Sequence, residues 1–263
     1  METGRRNFLK IGGICALGLG SLRIADALGK TEAPPKYMAN LQALTAKRWA
    51  MVIDLKACWE RGKPGCRECT EACHTIHNVP DIGNPQWEIK WIWTEPFEGV
   101  FADMSNPYLP GDVAQKPVMV LCNHCAEAPC VRVCPTQATF KRADGITMMD
   151  YHRCIGCRFC MAACPYGARS FNFWEPREYI KTELNPKFPT RDAGVVEKCS
   201  FCEERLAAGE RPACVEACNK DAKAMYFGDL EDPDSEVRKI LTTRYSIRRK
   251  PELGTGPGVF YLI

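Results

Sequence analysis

Alternation and helical periodicity along the chain predict short elements separated by long irregular stretches. Arg48 to Asp54, Thr147 to Asp150, Ala168 to Phe173 and Ala224 to Phe227 read as short strands. Trp91 and Trp93 flank Ile92 in the pattern of another strand. Asp234 to Arg244 reads as a helix, because Val237, Ile240 and Leu241 share a face and Asp234 or Ser235 stands where a cap belongs. Residues 28–46 lack a pattern and read as a linker. The segment 84–110 is rich in aromatics (Trp87, Trp91, Trp93, Phe97, Phe101, Tyr108). Two expectations stand side by side for it: an insertion with its own small core, or a docking surface for a partner subunit.

The apolar run Ile11 to Leu22 is shorter than the roughly 20 residues of a membrane span. A charged start precedes it and the small-x-small pattern Ala25-Asp26-Ala27 follows, as in a signal peptide over residues 1–27. Arg5-Arg6 with Phe8-Leu9 is the pattern of the twin-arginine export signal. It implies a folded protein delivered to the periplasm, or to the extracytoplasmic face of the cytoplasmic membrane. Cys15, inside the run, reads as a small hydrophobe.

At 263 residues and a formal net charge of +3, the chain has room for one large domain or two small ones, and no basic stripe. Nucleic acid is therefore not an expected partner. No nucleophile elbow, phosphate loop or metalloprotease helix occurs, so no catalytic residue is assigned.

Cysteine changes the picture. There are 17, and all but Cys15 fall into four groups of four. The first is Cys58, Cys66, Cys69, Cys73; the second Cys122, Cys125, Cys130, Cys134; the third Cys154, Cys157, Cys160, Cys164; the fourth Cys199, Cys202, Cys214, Cys218. The third reads C-x2-C-x2-C-x3-C-P, the bacterial ferredoxin run, whose fourth cysteine ligates the other cluster. The second is the same device with a longer middle step, and it also ends in Cys-Pro. The first and fourth are looser but end in C-x3-C. Structural zinc takes four ligands from paired C-x2-C units, which the triple spacing of the third group does not match. The haem motif C-x-x-C-H is absent. These sixteen cysteines are the expected metal and cofactor ligands of four [4Fe-4S] clusters, serving as an electron wire rather than as braces. With cysteine supplying every ligand, His74, His77, His124 and His152 are expected beside the clusters or at the surface.

Residues 118–174 resemble a two-cluster ferredoxin. The whole four-group arrangement is similar to the four-cluster iron–sulfur subunits of bacterial membrane redox complexes of the dimethyl sulfoxide and polysulfide reductase type. That resemblance implies an α+β fold of two ferredoxin-like two-cluster units, one (118–174) inserted in the other (47–117 and 175–263). It also implies exchanged ligands. One cluster takes Cys122, Cys125, Cys130 and Cys164, and its partner Cys154, Cys157, Cys160 and Cys134. A third takes Cys58, Cys66, Cys69 and Cys218, and the last Cys199, Cys202, Cys214 and Cys73.

The twin-arginine leader, the stretch Ala72-Cys73-His74-x2-His77-Asn78-Val79-Pro80 and the stretch Ile89-Lys90-Trp91-Ile92-Trp93 are similar to the exported iron–sulfur subunits of the Dsr membrane complexes of dissimilatory sulfur metabolism. This implies an integral membrane quinone-interacting subunit, a multihaem cytochrome c and other Dsr subunits as partners. The rivals are a wire serving an exported molybdenum oxidoreductase of the polysulfide or tetrathionate reductase type, and a structural zinc or metal-storage protein. Each oxidised cubane with four thiolates adds about −2, so the mature loaded protein would carry roughly −7.

Overall fold

The computed structural model describes residues 40–62, 65–104 and 106–263. The leader, Cys15 and residues 28–39 of the expected linker lie outside them. The run Trp49–Asp54 forms strand β1, buried at every position. A strand covered on both faces carries apolar side chains at successive positions. Accordingly Trp49, Met51 and Ile53 enter the main core, while Ala50 and Val52 enter a smaller one.

β1 leads directly into helix α1 (Leu55–Arg61), which carries Cys58. Asp54 caps that helix, accepting the Ala57 N–H at 3.0 Å and pairing with the Arg244 guanidinium. Burial pushes the Asp54 carboxyl up, but Arg244 and the Ala57 N–H outweigh it and hold it below its ordinary 3.8. The cap is therefore at full strength above pH 3.8 and fades as pH falls through the lower folded value. Asp54→Ala removes a cap worth about 1 kcal/mol and is expected to speed bleaching of the loaded protein on heating at neutral pH.

Helix α2 (Glu68–Ile76), strand β2 (Ile92–Pro96), helices α3 (Phe97–Val100) and α4 (Gly111–Ala114) and strand β3 (Pro117–Leu121) follow. β2 and β3 pair antiparallel with Trp93 opposite Val120. Trp91, Ile92, Phe97 and Phe101 are buried in the main core, so most of the aromatic segment is interior to the protein. Trp87 and Tyr108 are its exposed aromatics, at 37% and 91%.

Next come α5 (Pro129–Arg132), the antiparallel hairpin β4 (Thr139–Lys141) and β5 (Thr147–Met149), α6 (Phe159–Ala162) and β6 (Ser170–Phe171). β6 pairs with β7 (Val196–Glu197). Of the strand expected over 168–173, Ser170–Phe171 forms β6. Helices α7 (Glu203–Ala207) and α8 (Ala213–Asp221), β8 (Met225–Asp229), α9 (Glu236–Thr243), β9 (Ser246–Ile247) and β10 (Val259–Leu262) complete the order.

β8, β1, β10 and β9 form one sheet, with β10 parallel to β1 and β8 antiparallel to it. Helix α9 is shorter than its periodicity predicts, and the Ser235 side chain makes no cap bond. Its Val237 is buried over Ala50, Val52 and Leu262, with Ile240 and Leu241 beside it. Among the described residues no helix is long and apolar enough to cross a membrane.

Candidate functional site

The four cysteine groups share one backbone device. The residue immediately before the second cysteine is left-handed in every group: Gly65 (φ 73°), His124 (φ 41°), Gly156 (φ 69°) and Phe201 (φ 56°). A left-handed residue at this place turns successive N–H groups inward, making the kind of anion-binding concavity found at iron–sulfur sites. The Phe201 N–H accordingly reaches Cys199 Sγ at 3.4 Å. His124 and Phe201 adopt this conformation against side-chain preference, so the surrounding fold imposes it.

A second left-handed residue follows each fourth cysteine: Asn78, Gln137, Gly167 and Lys223. In three groups the N–H of the next residue bears on the fourth thiol and draws it down: Ala138 on Cys134, Ala168 on Cys164, Ala224 on Cys218. At Cys134 burial pushes the thiol up, yet the N–H groups of Thr139, Thr136 and Ala138 and the Thr136 hydroxyl bring it below its ordinary value. After Cys73 the corresponding Val79 N–H goes instead to the His74 carbonyl.

The chain joins thiols of one group with the last thiol of another. Helices α2 and α8 pack on each other, as do α5 and α6. In α2, Cys69 and Cys73 are one turn apart, and in α8 so are Cys214 and Cys218. Burial, then the thiols of Cys218 and Cys66, push Cys58 up to about 11. Cys69 rises to about 12 by burial and by Cys218, Cys58 and Cys66. These four line one cavity with Ile53, Met119 and Met225. Cys73 is raised by burial and then by Cys202, Cys199 and Cys214, members of the fourth group.

In the middle of the chain, Cys125 is pushed to about 12 by burial and by Cys122, with Cys130 and Cys164 adding. Cys160 is raised by burial and by Cys130, Cys154 and Cys134, against the Arg169 guanidinium. Cys157 lies between Cys154 and Cys160 and is exposed. The neighbourhoods thus follow the exchanged pattern: Cys58, Cys66, Cys69, Cys218; Cys73, Cys199, Cys202, Cys214; Cys122, Cys125, Cys130, Cys164; and Cys134, Cys154, Cys160, to which the ferredoxin spacing adds Cys157.

These sets also stand in file. Cys69 bears on Cys73 and Cys214, Cys122 is the first thiol to bear on Cys199, and Cys130 bears on Cys160. His124 and Phe201 stack at 3.7 Å where the second and third sets meet. Exposed cysteines occur at the two ends, Cys66 and Cys157, whereas Cys73, Cys199, Cys202 and Cys214 are buried. All sixteen are free thiols.

The donor chemistry fits iron–sulfur clusters, since each set offers four soft thiolates. The loops between ligand cysteines also hold buried donors without a protein partner, at Asn123 Nδ2, His124 Nε2 and Ser200 Oγ, from which cluster sulfides could accept. The backbone of the C-terminal segment braces the same loops. The Gly258 N–H donates to the Asn123 carbonyl, and Ala126 and Glu127 donate to the carbonyls of Gly256 and Thr255. A Cβ on Gly256, left-handed at φ 62°, would stand 2.9 Å from that of Ala126.

The histidines surround the sets without replacing a thiol in any of them. His77 is buried and stacked on Trp91 at 4.4 Å. Its Nδ1 bonds the Cys73 carbonyl at 2.8 Å, and its Nε2 meets Glu204 at 2.9 Å. His77, Glu204 and Cys202 lie close enough to share an ion, but the Cys202 thiol already belongs to a set of four. His124 is held well below its ordinary value by burial and by Lys198, Arg169 and Lys141. Its Nδ1 accepts the Thr147 N–H, placing the proton on Nε2. His74 reaches the Ile92 carbonyl, and His152 is exposed.

Sequence reasoning missed the charged residues of this interior. Arg169, Arg191, Glu197 and Lys198 are all buried, and their positions carry no periodic signal.

Residues 116–230 match the family described as a 4Fe-4S dicluster domain. The chain is 40% identical to the Hdr-like menaquinol oxidoreductase iron-sulfur subunit 1 of Archaeoglobus fulgidus, over 98% of this chain and 97% of that one. It is 35% identical to a tetrathionate reductase subunit of Salmonella typhimurium, over 100% and 89%. It is 34% identical to the protein NrfC of Escherichia coli, over 99% and 95%. Near-complete overlap at such identity, on a fold that gathers thiols in fours, makes this chain a member of the family of [4Fe-4S] electron-transfer subunits of membrane-associated quinol and other oxidoreductase complexes.

Proposed function

We propose that this subunit holds four [4Fe-4S] clusters in single file and relays electrons between two partners, one at each end. The observation that carries this reading is the division of sixteen thiols into four sets of four, with exposed cysteines at the two ends of the file. The architecture is one two-cluster ferredoxin-like unit (118–174) inserted in another (47–117 and 175–263), a reading supported by the packing of α5 on α6 and of α2 on α8. The residues holding the clusters are the sixteen cysteines in the exchanged sets above. Bound there, the clusters supply one-electron chemistry. The polypeptide sets their spacing, excludes water from the middle of the file and directs N–H groups at sulfur.

The twin-arginine pattern at Arg5-Arg6 supports a site of action on the extracytoplasmic face of the cytoplasmic membrane. The partners are an integral membrane quinone-interacting subunit, a multihaem cytochrome c and further subunits of a Dsr-type complex of sulfur metabolism, with this chain as its DsrO-type component. Support comes from the sequence stretches around Cys73 and Trp91, and from the 40% identity to a menaquinol oxidoreductase subunit. A second reading, a wire for an exported molybdenum oxidoreductase, is favoured by the full-length likeness to the tetrathionate reductase relative.

Anaerobic co-purification from native membranes in mild detergent tests both. A quinone-type membrane subunit with a cytochrome c is the expected result, and a large molybdenum-containing chain would move the protein to the second reading. Metal analysis of the same material is expected to give about sixteen irons and sixteen sulfides per chain. Stoichiometric zinc without sulfide would end the cluster reading.

A further inference from the structure

We infer that the cluster held by Cys122, Cys125, Cys130 and Cys164 is the most readily reduced of the four, because the cations Arg169, Lys198 and Lys141 are built around it. This rests on the four-cluster reading above and adds to it an order of potentials.

The geometry is specific. Arg169 is 5% exposed, and its Nη2 donates to Cys130 Sγ at 3.1 Å while its Nη1 donates to Thr139 Oγ1 at 3.2 Å. Lys198 is 1% exposed, and its Nζ donates to the carbonyls of Thr147 and Cys199. Lys141 Nζ donates to the Cys125 carbonyl at 3.0 Å and to that of Ala126. The hydrogen bonds described for these three cations go to carbonyls, a hydroxyl and sulfur; Glu127 is the carboxylate that bears on Lys141, without a described hydrogen bond to it. A buried cation is costly unless a counter-charge stands near, and the thiol set itself is the nearest source of one.

The other sets have different neighbours. In the second set Glu204 bears on Cys199 and Cys202, and there Lys198 and Arg205 offset it; in the first set Asp54 bears on Cys58 and Glu68 on Cys218. The fourth set shares Arg169 through Cys160, but the thiols that bear on Lys198 are Cys122 first, then Cys199 and Cys130, and Lys141 donates to the Cys125 carbonyl. Reduction of a cluster adds one negative charge. Nearby cations and a direct N–H···S bond stabilise that added charge, and carboxylates oppose it. Arg169 and Lys198 are buried and act with little screening, whereas Lys141 at the surface acts more weakly. The electron would therefore settle at the third position of the file, next to the buried second set and away from both exposed ends.

The test is a stepwise redox titration of the complete purified protein followed by electron paramagnetic resonance, with iron and sulfide counted on the same sample. Four signals are expected. In Arg169→Gln the first signal to be reduced should move to lower potential by at least 59 mV, a tenfold change in its oxidised-to-reduced ratio for a one-electron couple. Arg169→Lys should retain most of the wild-type value. Lys141 is at the surface, so Lys141→Gln decides the matter if Arg169→Gln fails to assemble. It should move the same first-reduced signal in the same direction by a smaller factor. Glu204→Gln should raise a different, later-reduced signal. Four clusters with Lys141→Gln and Arg169→Gln shifting a later signal, or none, would overturn the inference alone. An iron count short of four clusters would overturn the reading beneath it.

Discussion

Cys73→Ser is expected to destroy or convert the cluster shared by Cys199, Cys202 and Cys214, while the one at Cys58, Cys66 and Cys69 survives. Loss of the whole cluster would lower iron from about sixteen to about twelve per chain. The argument is geometric. Cys73 is buried among the thiols of the fourth group, which after burial are the largest influences on it. Cys69, one turn earlier on the same helix, is dominated instead by Cys218, Cys58 and Cys66. Two substitutions one helical turn apart should therefore extinguish two different paramagnetic signals. Cys73→Ser and Cys214→Ser, far apart in sequence, should extinguish the same one. If each group held its own cluster, Cys69→Ser and Cys73→Ser would instead act on a single signal, and the exchanged arrangement would be wrong.

Much of this was legible in the cysteine spacing, because cluster ligation demands fixed intervals. The run from Cys154 to Cys164 followed by Pro165 states a local geometry by itself, and its α6 and left-handed Gly156 are where that geometry needs them. The looser intervals, Cys58 to Cys66 and Cys202 to Cys214, state less. Which thiols meet there follows from the packing of α2 on α8, and no local pattern encodes a contact between segments so distant. The strands were legible where burial makes an unbroken apolar run, as in β1.

Elsewhere the pattern was silent or misleading. β10 pairs parallel with β1, and parallel partners leave no turn signature between them. The aromatic segment offered two readings because tryptophan serves cores and interfaces alike. The buried fate of Trp91 depends on Glu197, a distant residue that accepts its indole N–H at 2.8 Å. Buried charges such as Arg169 and Lys198 look in the sequence like any solvated basic residue.

Glu197 is also the centre of the change expected to be most damaging outside the cysteines. Its carboxylate is fully buried and accepts from Trp91, from Asn172 and from the Arg191 guanidinium, the last at 2.6 Å. Arg191, equally buried, donates onward to the carbonyls of His77 and Asn78 at 2.6 and 2.9 Å. The pair thereby ties the turn after Cys73 to the strand that leads into Cys199, and both cysteines belong to the same set. Removing one partner leaves a buried charge with no counter-charge, at a cost of about 3–5 kcal/mol.

Arg191→Leu is accordingly expected to lose first the cluster at Cys73, Cys199, Cys202 and Cys214. Because unfolding of a cluster protein is irreversible, the quantity to measure is the rate of bleaching on heating rather than an equilibrium midpoint. Glu197→Leu should behave alike. The double variant Arg191→Leu with Glu197→Leu should bleach more slowly than either single one, since it removes both charges and leaves neither stranded. Additive damage in the double variant would mean that the two residues act separately, and that the bond between them does not hold the buried set together.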